Sequence, residues 1–144
     1  MVAKGTICAT VIFLLSACST IETRTTQDSN LPYSEHHYAA HDVKVDWKTE
    51  QVGPDLRIKG MVSNPRYDTS YNGFELTASL LDANGKTFAK KVFVFYPGPV
   101  TGTQPFGLDF PQMEAQQLQK VKFRYEYNVG EGGDHFTGNF ESVP

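Results

Sequence analysis

Val121-Lys122-Phe123-Arg124-Tyr125-Glu126-Tyr127-Asn128-Val129 alternates without a break. Every odd position is apolar or aromatic and every even one is charged or polar, the period of a strand with one buried and one wet face. Outward from it the same period recurs. Val43, Val45 and Trp47 alternate with Lys44, Asp46 and Lys48, and Leu56, Ile58, Gly60 and Val62 alternate with Arg57, Lys59 and Met61 until Pro65 closes the run. The stretch from Gly73 to Asp82 sets Phe74, Leu76, Ala78 and Leu80 on one face. Asp82-Ala83-Asn84-Gly85 then predicts a hairpin, because Asn-Gly accepts the positive φ that tight turns demand. A further strand runs through Tyr96 to the break Pro97-Gly98-Pro99, and Phe106, Leu108 and Phe110 mark another, ended by Pro111. Gln112 to Lys120 predicts one short helical turn at most. Gly130-Glu131-Gly132-Gly133 turns the chain into a last strand around Phe136 and Phe140. About seven strands without βαβ alternation predict an all-β, antiparallel sandwich.

The chain has 144 residues, room for one domain of ordinary size. It is 40% hydrophobic and 20% charged, too apolar for full disorder, and its formal net charge of -3 offers no basic field for a nucleic acid. Two cysteines build neither a zinc ribbon nor a disulfide scaffold.

At the N-terminus, Lys4 precedes an apolar run from Ile7 to Ala17, which gives way at Ser19 to the polar string STIETRTTQDSN. A membrane span needs roughly 20 apolar residues, and this run is about half that. A positive start, a short apolar region and small residues at its end describe a secretory signal peptide. Its last four residues, Leu15-Ser16-Ala17-Cys18, resemble the lipobox of bacterial lipoproteins. The resemblance implies a diacylglycerol thioether on Cys18, cleavage between Ala17 and Cys18, and acylation of the new amino terminus. Two or three acyl chains hold a protein on a bilayer where one binds only marginally. Cys8 leaves with the leader, so the mature chain has no free thiol, and losing Lys4 takes its side-chain charge from -3 to about -4. Ser19, in place of the Asp that commonly retains Gram-negative lipoproteins in the inner membrane, implies the outer membrane, with the protein facing the periplasm. Residues 1–17 are thus expected as the signal peptide and 18–40 as the lipidated Cys with a disordered linker. At roughly 5–6 Å times the square root of its length, that linker would reach roughly 25 Å. The sandwich domain is expected over 41–144.

Gly60-Met61-Val62-Ser63-Asn64, then Leu80-Leu81-Asp82-Ala83-Asn84-Gly85, then Pro97-Gly98 followed by Phe106 resemble the FxLyD-type domains of bacterial envelope proteins. The likeness covers roughly Val43 to Tyr127. Ala78 stands where that family usually has Phe, and Arg66 to Asn72 is a long insertion. The resemblance implies an immunoglobulin-like sandwich and supplies no catalytic residues.

His36, His37 and His41 are candidate ligands for Zn or Cu, although no carboxylate or cysteine evidently completes a set, and solvated polar residues are the alternative. His135, beside Asp134, is expected on the surface. Asp82 to Gly85 lacks the later ligands of a calcium loop. The chain has no G-x-S-x-G, H-E-x-x-H, P-loop or G-x-G-x-x-G motif, and no marked acid–base pair, so neither an enzyme nor a cofactor is expected. Arg66-Tyr67-Asp68-Thr69-Ser70-Tyr71-Asn72 carries residue types suited to adaptable contacts, or its tyrosines fold onto the sandwich end. Val92-Phe93-Val94-Phe95-Tyr96 is apolar on both faces, so either both are buried or one is a strip for a partner. Tyr67, Tyr71, Phe93 and Phe95 are the expected partner contacts. The expectation is a lipid-anchored, noncatalytic module that meets an envelope protein. A metal-binding protein or hydrolase of the envelope, and a plain structural spacer, are the alternatives.

Overall fold

The computed structural model describes residues 35–130 and 132–144. Among the described residues there are eight strands: β1 (His36–Ala39), β2 (Lys44–Val52), β3 (Asp55–Ser63), β4 (Tyr71–Leu81), β5 (Thr87–Val94), β6 (Thr103–Phe110), β7 (Lys120–Val129) and β8 (Asp134–Ser142). A single 3-10 turn, Ala115–Gln117, precedes β7. The strands make two four-stranded sheets, ordered β1-β2-β3-β6 and β5-β4-β7-β8, with every pairing antiparallel. This is an all-β antiparallel sandwich. With β1 set aside, the other seven strands divide three and four, as in immunoglobulin-like sandwiches.

Period-two alternation puts Val45 and Trp47 of β2, Leu56, Ile58 and Val62 of β3, Phe74 and Leu76 of β4, and Val121 and Phe123 of β7 into one core between the sheets. Gly60 is in the same row of β3 for a packing reason. A Cβ there would lie 2.0 Å from the Asp46 carbonyl oxygen and 2.7 Å from the Phe106 ring. The Asp82–Gly85 hairpin forms as expected: the Gly85 N–H donates to the Asp82 carbonyl, and Asp82 Oδ1 accepts from the N–H groups of Asn84 and Lys86.

β1 lies within the stretch read from sequence as linker, so the ordered body begins before residue 41. In His36-His37-Tyr38-Ala39 only Tyr38 favours a strand strongly. The strand is held by pairing with Lys44–Trp47 and by Tyr38, which stacks on Phe140 of β8. Residues 1–34, on which the expected signal peptide, Ala17, Cys18 and most of the expected linker fall, lie outside the described residues.

The register sorts the connections between two ends. The turn before β2, the β3–β4 and β5–β6 loops and the β7–β8 hairpin share one end, and the β2–β3 and β4–β5 hairpins and the 3-10 turn share the other. On one side of the sandwich β1 meets β8 through Tyr38 and Phe140, and on the opposite side β5 meets β6 through Phe93 and Phe106.

Candidate functional site

His36, His37 and His135 each have their own neighbours, and His41 is exposed in the bend before β2. His36 stacks on Trp47 with ring centroids 5.3 Å apart. The Nδ1 of His37 hydrogen-bonds Asp46 on the adjacent strand. His36 and His37 are consecutive on a strand, so their rings point to opposite faces. His135 is exposed and contacts Asn128. Among the described residues no group of three His, Cys, Asp or Glu side chains is placed to hold a metal ion.

Asp42, which the sequence did not distinguish, collects three tyrosines. Its carbonyl oxygen accepts from the Tyr71 hydroxyl at 2.6 Å, its Oδ2 from Tyr127 at 2.7 Å, and its Oδ1 from Tyr125 at 3.2 Å. Burial pushes the phenol of Tyr125 well above its ordinary value, helped by the Tyr38 hydrogen bond and the Asp42 charge. Burial does the same to Tyr127, again with Asp42 adding to it, and raises Tyr71 as well. Phenols held protonated against a carboxylate are a structural clasp: they join the turn before β2 to β4 and β7 of the other sheet.

Of the expected contact residues, Tyr67 is 99% exposed, whereas Tyr71 is fully buried and Phe95 is 5% exposed. Phe93 is half-buried against the core. Tyr71 and Phe95 are therefore core residues and not a contact surface. Tyr71 packs 4.0 Å from the Tyr127 ring, and Phe95 meets Phe74 edge-on at 5.3 Å. The turn inward has a local cause at Tyr71. The register of β4 shifts between Asn72 and Glu75, with Gly73 at φ 58, and this bulge carries Tyr71 to the core face.

The apolar run Val92–Tyr96 is buried on one face only. Phe93 and Phe95 point inward, while Val92, Val94 and Tyr96 are 46%, 51% and 88% exposed. The β5–β6 loop that carries Tyr96 and the β3–β4 loop that carries Tyr67 are fastened together by buried Asn64. Its side-chain amide donates to the carbonyls of Thr69 and Val100, and its oxygen accepts from the Arg66 N–H at 2.8 Å. The two exposed tyrosines thus stand on one braced end of the sandwich, above the exposed row of β5.

Most strand-borne cations of both sheets are paired, including Lys120 with Glu141 and Arg124 with Glu126 on β7 and β8, and β5 is different. On the outer face of the β1-β2-β3-β6 sheet, Lys48 and Lys59 both bind Glu50, at 3.0 and 2.9 Å, and Arg57 pairs with Asp109. Hydrogen bonds from Lys59 and then Lys48 hold the Glu50 carboxyl below its ordinary value. On β5, Lys90 and Lys91 are exposed and have no ion pair among the described residues.

At the opposite end, a shallow cleft of about 480 Å³ is lined by Gln51, Gly53, Pro54, Gln112, Glu114 and Ala115. The Gln51 amide is already committed there: it donates to the carbonyls of Gly53 and Met113 and accepts from the Ala115 N–H at 3.0 Å. The cleft brings together no nucleophile with a base.

No family model matches the sequence, and no curated protein matches it. Among solved structures, a Northeast Structural Genomics Consortium target is similar at 17% identity and a TM-score of 0.43, over 72% of this chain and 88% of that one. A protein from Archaeoglobus fulgidus is similar at 16% identity and a TM-score of 0.39, over 76% of this chain and 98% of that one. A glycosyl hydrolase family 2 member from Bacteroides cellulosilyticus is similar at 9% identity and a TM-score of 0.37, over 69% of this chain and 14% of the enzyme.

Proposed function

We propose that this chain is a bacterial envelope lipoprotein, fixed to the membrane through Cys18, that presents a noncatalytic β-sandwich in the periplasm to a protein partner. The leader and the Leu15-Ser16-Ala17-Cys18 sequence support the anchor, and Ser19 supports the outer membrane as its address. The observation that carries the interaction reading is the distribution of exposed apolar side chains. Four of the seven exposed large apolar side chains among the described residues, Tyr67, Val92, Val94 and Tyr96, gather on β5 and the loops above it, while Val52, Phe136 and Val143 stand apart from them and the inner aromatic rows are spent on the fold. The described chain enters the sandwich at β1, on the side opposite β5, so these four side chains lie away from the point of entry.

Two measurements test this reading. Replacing Cys18 with Ser should abolish fatty acylation and leave an unprocessed precursor. A variant with the parent's intact mass and membrane fractionation would refute the anchor. Photo-crosslinkers at positions 67 and 96 should capture one defined envelope protein in cells, with a control at buried position 71 giving none. Adducts no more specific at 67 and 96 than at an exposed position on β8 would refute the display.

A further inference from the structure

We propose that the outward edge of β5 is a docking strand for an extended peptide segment, aliphatic in one half and acidic in the other, which adds antiparallel as a fifth strand of the β5-β4-β7-β8 sheet. This deepens the interaction reading above by naming the chemistry of the partner. β5 ends its sheet and pairs with β4 alone among the described strands, so one row of its backbone groups has no strand neighbour.

The four sheet edges are not equivalent. β1 has four residues. β6 contains Pro105, which has no N–H to offer, and Gly107. β8 carries Glu141, Asn139, Thr137 and His135 on the face opposite its aromatic row. β5 is eight residues long, Thr-Phe-Ala-Lys-Lys-Val-Phe-Val, with no proline, glycine or acid.

Register with β4 fixes what this edge displays. Phe93, Lys91 and Ala89 stand opposite Leu76, Ala78 and Leu80, in the inner row. Val94, Val92 and Lys90 stand opposite Glu75, Thr77 and Ser79, in the outer row. Along the edge the order is therefore two exposed valines toward the loop end and two exposed lysines without ion pairs toward the hairpin end. Lysines on an edge discourage a second copy of the same strand, since like charges directly opposite are destabilising. The same lysines favour an acidic strand. Antiparallel addition sets aliphatic residues opposite Val94 and Val92 and acids opposite Lys91 and Lys90, which is the pattern apolar-x-apolar-acidic-acidic. Main-chain bonds supply affinity in this mode and side-chain rows supply selectivity.

The test uses the full chain, purified in detergent, and two fluorescein-labelled ten-residue peptides with Val-Thr-Val-Glu-Glu or Val-Thr-Val-Lys-Lys at their centre. The acidic peptide should bind saturably by fluorescence anisotropy and protect the amides of β5 from hydrogen exchange, and the basic one should bind at least tenfold more weakly. The double variant Lys90→Glu with Lys91→Glu, confirmed folded by circular dichroism, should reverse that preference. Equal binding of both peptides, no binding of the acidic peptide at millimolar concentration, or protection confined to β6 or β8 would overturn the proposal. So would a double variant that dimerises while keeping its affinity for the acidic peptide, since the lysines would then only guard the edge. None of these readouts depends on acylation of Cys18, so a failure here is distinct from a failure of the anchor.

Discussion

Tyr38 lies flat on Phe140, ring centroids 3.8 Å apart and planes 7° from parallel, and this contact ties β1 of one sheet to β8 of the other. The stack lies next to Trp47, which sits 5.5 Å from Phe140 and is the only tryptophan in the chain. Tyr38→Ala should cost about 2 kcal/mol by urea unfolding, since it removes a half-buried ring and its stacking on Phe140. The tryptophan emission of the folded variant should shift to longer wavelength. An unchanged midpoint and spectrum would mean that β1 contributes nothing to the body.

Asp42→Ala strips the acceptors from two tyrosine hydroxyls in a partly buried place. The expected loss is about 3 kcal/mol, and Asp42→Asn, which keeps one acceptor oxygen, should lose less. Thermal or urea denaturation of the two variants side by side gives the comparison.

The raised phenols of Tyr71, Tyr125 and Tyr127 make a prediction about alkaline pH. In the unfolded chain these groups ionise near the ordinary value of 10.0, while in the folded chain they stay protonated. Above pH 10 the unfolded state therefore binds fewer protons than the folded one, and stability falls as pH rises. Below pH 10 their contribution is complete. Absorbance of tyrosinate near 295 nm should show these three phenols appearing only with unfolding, and Tyr127→Phe should shallow the alkaline slope of stability.

Asn64→Ala removes two donated bonds and one accepted bond at the junction of two loops. A cost of about 2–3 kcal/mol is expected for the carbonyls and N–H left unpaired. Hydrogen exchange should quicken at residues 66–71 and 98–102 and hold steady in β2. Uniform quickening would argue against a local brace.

Gly60→Ala forces a methyl group into the Asp46 carbonyl and the Phe106 ring. Overpacking of this kind should cost about 3 kcal/mol, against under 0.5 kcal/mol for an exposed surface change. A melting temperature within a degree of the parent would contradict the packing at this crossing.

Much of the architecture is legible in the sequence because each long strand has one wet face. β7 reads directly from Val121 to Val129, and Phe74 to Leu80 of β4 reads as cleanly. β1 is hidden in the sequence because four residues, two His, one Tyr and one Ala, are too few to show a period, and what holds them, Trp47 and Phe140, lies 11 and over 100 positions away in the chain. Tyr71 escaped because the bulge at Gly73 shifts the period by one, so its phase against Phe74 reads as outward when it is inward. The faces of Val92–Tyr96 carried no polarity contrast, so alternation had nothing to mark there until β4 supplied a register. Asn64 ends the Gly60–Asn64 run, and the three hydrogen bonds of its buried side chain account for an amide at that place. Asp42 offered no local signal, because its three phenols arrive from β4 and β7.

β1 has a mechanical consequence. Among the described strands it is the first that a pull along the N-terminal chain would reach, and it is joined to its neighbour by only four rungs. Its aromatic stack on β8 is a lateral contact, with no backbone ladder behind it. Tension from that side would unzip this short strand first, leaving the longer β2–β3 and β4–β7 ladders to carry the load afterwards. Under such a load the strand would yield as a sacrificial link and spare the body behind it.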